Sequence, residues 1–227
     1  MAFRSSAFTV FTGASSGAAT MPAGVVAGDW LVAFLSIDNV AVDATGPTGW
    51  SQVAGSPIHN SAPDSQSAQC WTRLANGNEA SERTWTGMSA TVDQAIIVAA
   101  FSGRGTGTPL VQTTQNTTAN ASPVAAGNTG ITALEGDDIA SCWLGDSNGV
   151  TGWTGVAPSN YIEREDRDTI WVPQYLATRD GVAAGATGTL TMTWTNVGNT
   201  TGWAGFVLAI PAGGAGANNT MFFGGSL

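Results

Sequence analysis

Gly28-Asp29-Trp30, at the head of the apolar run Leu31 to Ile37, recurs in the second half of the chain as Gly136-Asp137-Asp138, 108 residues on (136 against 28) and again ahead of an apolar run, Ile139 to Leu144. Three more landmarks repeat in the same order. Thr48-Gly49-Trp50 returns as Thr151-Gly152-Trp153, Thr84-Trp85-Thr86 as Thr193-Trp194-Thr195, and the run Ala95 to Phe101 as Ala204 to Ile210. The offset stays between 103 (152 against 49) and 109 (210 against 101), so the chain carries a duplicated structural unit. What repeats is turns and core runs, and it therefore speaks of architecture rather than chemistry.

Each half reads mechanically. In the Gly-Asp turn the glycine supplies a backbone angle that other residues avoid, and the aspartate bonds to nearby amides before a central strand begins. The following loop ends in Thr-Gly-Trp, a tight bend after which the tryptophan folds back as a lid over the end of the sandwich. That reading leaves Trp50 and Trp153 partly exposed, and makes them the candidates for stacking on a sugar. Helix signals are nearly absent, because the 30 glycines and nine prolines interrupt any long 3.6-residue periodicity.

Short runs rich in aromatic, β-branched and Thr residues predict strands at Phe8 to Phe11, Trp30 to Ile37, Ala68 to Leu74, Ala95 to Phe101, Ile139 to Leu144, Thr169 to Tyr175, Thr189 to Trp194 and Trp203 to Ile210. The expected fold is all-β: a two-sheet, jelly-roll-like β-sandwich built from two pseudo-repeated halves. The repeats are expected at about residues 20–103 and 128–211, within a single domain spanning 1–211. Since neither half by itself offers a closed pair of sheets, the halves are expected to interleave. Gly103-Arg104-Gly105-Thr106-Gly107 reads as the linker between them.

Only 10% of residues are charged, lysine is absent, and seven arginines stand against sixteen carboxylates for a net charge of −9. A chain that repels phosphate argues against nucleic acid or an anionic membrane as partner. The longest apolar run, residues 95–101, is far short of the roughly 20 residues of a bilayer-spanning helix. Ser5, Ser6, Thr9, Thr12 and Gly13 break up any signal-peptide core, so synthesis in a cytoplasm without export is expected. Cys70 and Cys142, each preceding a tryptophan, read as buried small hydrophobes without a disulfide.

The residues assign no catalytic group, metal ligand or cofactor. His59 is the only histidine and lies in a polar Pro/Ser/Asn loop. Asp146-Ser147-Asn148-Gly149 lacks the distal glutamate of a calcium loop, and the Gly103 segment lacks the lysine and helix of a phosphate loop. The dense ionic run Glu163-Arg164-Glu165-Asp166-Arg167-Asp168 could supply the two carboxylates of a glycosidase. Its interleaved arginines keep those acids ionised, so an exposed or subunit-facing salt-bridge strip is the preferred reading.

The succession Gly28-Asp29-Trp30-Leu31-Val32-Ala33, Pro47-Thr48-Gly49-Trp50, Cys70-Trp71-Thr72-Arg73-Leu74-Ala75, Thr84-Trp85-Thr86 and Ile96 to Gly103 resembles a β-sandwich module of tailed-phage virion proteins, over roughly residues 20–212. The resemblance implies a scaffold of head decoration (cement) proteins that also occurs in tail or fibre components touching host glycans. It brings no catalytic residues. It implies a virion location, the major capsid protein or other virion proteins as partners, and a homo-oligomer, with a trimer suggested by local three-fold axes.

After Pro211 a Gly-rich arm, residues 212–227, carries Met221-Phe222-Phe223. Burying those side chains contributes about 1.5 to 3 kcal/mol each. Ordering sixteen residues costs on the order of 16 kcal/mol of backbone entropy, so attachment by the arm also needs backbone pairing with a neighbour. Phe3, Phe8 and Phe11 at the N-terminus are the second set of expected grips. The sequence thus predicts a non-enzymatic capsid decoration protein, with a carbohydrate-binding tail or fibre module as the alternative.

Overall fold

The computed structural model of the chain describes residues 3–212, apart from residues 40, 61–64, 89, 103–106, 122–123, 147–148, 150, 170 and 196–199. All of its regular structure is β. In the first half the strands are β1 (Phe3–Thr12), β2 (Ser16–Thr20), β3 (Trp30–Ile37), β4 (Ser51–Gln52), β5 (Ile58–Asn60), β6 (Gln66–Leu74), β7 (Glu82–Thr86) and β8 (Asp93–Phe101). The second half has β9 (Leu110–Ala121), β10 (Val124–Asn128), β11 (Thr132–Ala133), β12 (Asp138–Asp146), β13 (Thr154–Val156), β14 (Ile162–Arg167), β15 (Gln174–Arg179), β16 (Gly185–Ala186), β17 (Leu190–Thr195) and β18 (Thr200–Ile210).

Two large antiparallel sheets form the sandwich. One runs β1-β8-β3-β6-β4, with β5 also on β6; the other runs β9-β18-β12-β15-β14. Small sheets cover their outer faces. The pair β2-β7, extended by a bridge between Thr45 and Thr86, belongs to the first half, and β10-β17-β13 with β11-β16 to the second. With the two-residue strands β11 and β16 left out of the count, each half has the order first, eighth, third, sixth on the large sheet, facing second and seventh on the small one, a jelly-roll order complete in that half.

The halves therefore do not interleave, contrary to the sequence expectation. Each large sheet takes its strands from one half only. The expectation failed because all the covering strands but the six-residue β17 are only two to five residues long, too short to register as strands in a sequence. The repeats are also wider than residues 20–103 and 128–211, since β1 and β9 occupy equivalent edges. The strand expected at Thr169 to Tyr175 is displaced: β14 ends at Arg167, and β15 starts at Gln174, after Pro173, which has no N–H for a ladder.

The repeated turns are superimposable in chemistry. Gly28 and Gly136 adopt φ of +87° and +82°, values that favour glycine. Asp29 Oδ2 accepts the Val26 N–H at 2.9 Å, and Asp137 Oδ2 accepts the Leu134 N–H at 2.8 Å. The glycine N–H then donates to the facing strand end, Ala75 O at 2.9 Å in one half and Val182 O at 2.8 Å in the other. Two glycines thus set the entry angle of both central strands.

Burial falls in three layers. Between the large sheets lies a core shared by both halves, with Trp30, Phe34 and Phe101 from one sheet against Cys142, Phe206 and Ile210 from the other. Phe34 and Phe206 meet there with ring centroids 6.4 Å apart. Two buried amides stitch the same interface: Gln66 Nε2 donates to Gly145 O at 3.0 Å, and Gln174 Nε2 to Ala95 O at 2.7 Å. The outer faces pack on the cover sheets, around Trp50 and Trp85 in the first half and Trp153 and Trp194 in the second. Cys70 and Cys142 are free thiols in the shared core, and burial pushes both well above the ordinary thiol range.

Candidate functional site

The residues singled out from the sequence converge on two places, the seam between β1 and β14 and the tryptophan loops. At the seam the N-terminal phenylalanines are already engaged. The Arg164 guanidinium lies 4.2 Å from the centroid of the Phe3 ring, and that of Arg167 lies 5.2 Å from Phe8. Phe3 also meets Phe101 edge-on at 5.9 Å. Phe3 and Phe8 are half-buried against the shared core, whereas Phe11 is buried beneath the cover sheet of the first half. Phe11 therefore offers no grip to a partner, because the inward side of β1 at that position faces β2 and β7. Met221, Phe222 and Phe223 lie outside the described residues.

In the ionic run Glu163, Arg167 and Asp168 are exposed and Arg164 and Asp166 half-buried, as expected of a surface salt-bridge strip, while Glu165 alone is buried and stitches the run to the first half. Glu165 is 6% exposed; it accepts the Ser6 hydroxyl from β1 of the first half and the Arg167 Nε–H at 2.6 Å. Arg164 donates to Thr178 Oγ1 at 2.8 Å and pairs with Asp180 at 3.5 Å. The other acids turn to the second half's own cover. Asp168 accepts the Gly152 and Trp153 amides at 2.6 and 3.2 Å, Asp166 accepts the Gly155 amide at 3.0 Å, and Glu163 accepts the Tyr175 hydroxyl at 3.1 Å. A bulge between Glu163 and Glu165 in the pairing with β15 sets this phase.

Burial, then the charges of Glu163 and Asp168, push the Asp166 carboxyl above its usual range, against the opposing Gly155 N–H and Arg167. Burial likewise raises the Tyr175 phenol, helped by the charge and hydrogen bond of Glu163. Each acid in the run already holds a partner that fixes local structure. The elevated carboxyl thus accompanies a structural task, namely tying the β13 strand to β14.

The tryptophan loops are closed. Gly49 and Gly152 take the bend at φ of +85° and +87°, yet Trp50 is 8% exposed and Trp153 only 1%. Trp50 meets Trp85 at 5.4 Å and 60°, and Trp153 meets Trp194 at 5.4 Å and 61°. Both rings are inside, so the expected sugar-stacking faces are covered. The reason is tertiary: the Thr/Trp strand of each half places its own tryptophan opposite the loop. Beside the Trp50 loop a shallow polar groove remains, lined by Pro47, Thr48, Arg83, Thr84 and Thr86.

Beneath it Glu79 accepts Arg73 Nη2 at 3.2 Å and Arg83 Nη2 at 2.8 Å. Burial would raise the Glu79 carboxyl, but the hydrogen bonds from Arg83 and the Asn76 N–H, with the charges of both arginines, hold it below its usual range. His59 lies on β5, where its Nε2 meets Asp43 Oδ1 at 2.8 Å. Ser67 Oγ donates to that same carboxylate oxygen at 2.8 Å, so the carboxylate stands between hydroxyl and imidazole instead of behind the imidazole. Among the described residues no group of three or more His, Cys, Asp or Glu is placed to hold a metal ion. Among the described residues no helix is long and apolar enough to cross a membrane.

Sequence reasoning missed the contacts that join the halves, above all Glu165 with Ser6 and Gln174 with Ala95. The one signal available was the alternation of sign in residues 163–168 on a segment short enough to be a strand. No family model matches this chain, and neither the curated proteins nor the solved structures contain a match.

Proposed function

We propose that the chain is a non-enzymatic virion component, a decoration protein that clamps neighbouring subunits of a phage head through its C-terminal arm. The observation that carries this reading is the disposition of aromatic side chains. Among the described residues every Trp, Phe and Tyr is buried or half-buried, so the body offers a partner little aromatic surface beyond the half-buried Phe3 and Phe8, and the aromatic pair Phe222 and Phe223 of the arm is the natural anchor. The resemblance to tailed-phage sandwich modules supports the same role. A duplicated sandwich with few charges suits a lattice protein, which needs a stiff body and an inert surface. The body would be made in the host cytoplasm and join the major capsid protein or another virion protein, as a homo-oligomer such as a trimer on a local three-fold axis.

A tail or fibre module that binds host carbohydrate is the second reading, and the groove beside Trp50 is the observation in its favour. Arg83 and the Thr48, Thr84 and Thr86 hydroxyls could meet sugar hydroxyls there, although the aromatic stacking faces are gone.

Deleting residues 213–227 tests the first reading. The melting temperature of the sandwich is expected to stay the same, because the arm lies beyond the last core strand, while occupancy on purified particles falls. Phe222→Ala with Phe223→Ala should reproduce most of that loss. Full occupancy after the deletion would refute attachment by the arm.

A further inference from the structure

The two halves meet by equivalent faces. β3 and β12 are the central strands of their sheets, β8 and β18 flank them on one side, and β6 and β15 on the other. At one edge β1 of the first half lies against β14 of the second, through Phe3 with Arg164, Phe8 with Arg167 and Ser6 with Glu165. At the other edge the counterpart of β1, strand β9, lies against β5 of the first half, where Gln115 Nε2 donates to His59 O at 2.8 Å. Contacts from first half to second are matched by contacts from second to first between corresponding strands, which is the property of an isologous interface. The shared core repeats the pattern in side chains. Phe34 and Cys142, Ala99 and Leu208, and Phe101 and Ile210 stand in corresponding positions of the two repeats, and all lie in one cluster.

We infer that the inner face of the large sheet is a self-pairing surface whose fitting partner is a second copy of the same half, and that the chain is a pseudo-dimer with a two-fold axis between its sheets. The connections follow from that symmetry. β8 ends at Phe101 and β9 begins at Leu110, so residues 102–109 carry the chain from the first sheet to the edge of the second. Leu110 pairs with Ala209 near the end of β18, just as Phe3 pairs with Phe101 at the end of β8. The step from Ile210 to Phe3 is then the two-fold image of the step from Phe101 to Leu110. A linker of the length of residues 102–109 closes both, and the order of the halves is interchangeable.

The test is a circular permutant that runs from Leu110 to Ile210, through a copy of residues 102–109, and then from Phe3 to Phe101. It is expected to be soluble and to melt in one transition at the temperature of the unpermuted chain truncated at residue 212. An aggregated product, or a melting temperature well below that reference, overturns the two-fold equivalence. A second measurement leaves the native order intact: a protease site placed within residues 103–106 is cleaved after folding. The cut halves should stay together as a one-to-one complex that elutes with the uncut chain, and halves that separate as folded monomers overturn the self-pairing surface.

Discussion

Trp194→Ala is expected to lower the unfolding free energy by about 3 to 5 kcal/mol, the range for truncating a large aromatic in a core that only partly collapses. Trp194 is fully buried on β17, where it closes the cover sheet of the second half against Trp153. Losing it removes one ring of that pair and leaves the other facing a cavity. Trp85→Ala should produce a loss of the same size in the first half, because the Trp50–Trp85 pair has the same spacing and angle. Trp194→Phe should lose much less. The indole N–H of Trp194 has no hydrogen-bond partner in the structure, so replacing it removes a buried, unsatisfied donor while most of the ring volume stays. Urea denaturation of the three variants measures all of this, and a loss below about 1 kcal/mol for Trp194→Ala would contradict the burial described.

Gly205→Ala is expected to be as damaging despite adding a single methyl group. Gly205 sits mid-strand in β18, paired with Trp143 on one side and Thr114 on the other. A Cβ there would enter the carboxamide of Asn128. That carboxamide is fully buried and ties the cover strand β10 to the large sheet, with Nδ2 donating to Ser141 Oγ at 3.0 Å and to Cys142 O at 3.2 Å. The methyl must displace a group that has nowhere to go, and the displaced amide loses its bonds. Overpacking and lost buried hydrogen bonds together amount to about 3 kcal/mol or more. Asn128→Ala should itself be destabilising, yet in combination with Gly205→Ala the cost should be less than additive, because the truncated side chain makes room for the methyl. Strict additivity in that double-mutant cycle would contradict the contact.

The features legible in the sequence were those made by local patterning. Gly28-Asp29 and Gly136-Asp137 announced their turns because glycine and aspartate each have a local reason to be there. The central strands β3, β8, β12 and β18 announced themselves as continuous apolar runs. What escaped was made by partners far apart in the chain. β9 is rich in Thr, Gln and Asn and carries no apolar alternation, since an edge strand is held by its backbone ladder to β18. β14 reads as a solvated charge run and largely is one, but Glu165 is buried because it accepts the Ser6 hydroxyl from a strand 159 residues away. Trp50 and Trp153 were misread for the same reason. A loop tryptophan is a lid or a platform depending on whether another ring covers it, and Trp85 and Trp194 do so from a different strand.

The candidate site shows the same division. The seam between the halves engages Phe3, Phe8 and Glu165, and Phe11 is buried under the first half's cover, which leaves the arm as the attachment proposed here. Phe222 and Phe223 would then act together with backbone pairing, as the entropy of ordering sixteen residues requires.

Electron cryo-microscopy of purified particles that carry the chain, compared with particles that lack it, tests the proposed role most directly. The account predicts difference density on the outer surface of the head, a double-layered β body at the junction of capsid subunits with an extended arm running onto a neighbour. Density confined to the tail or its fibres, or no difference between the two particles, would contradict it.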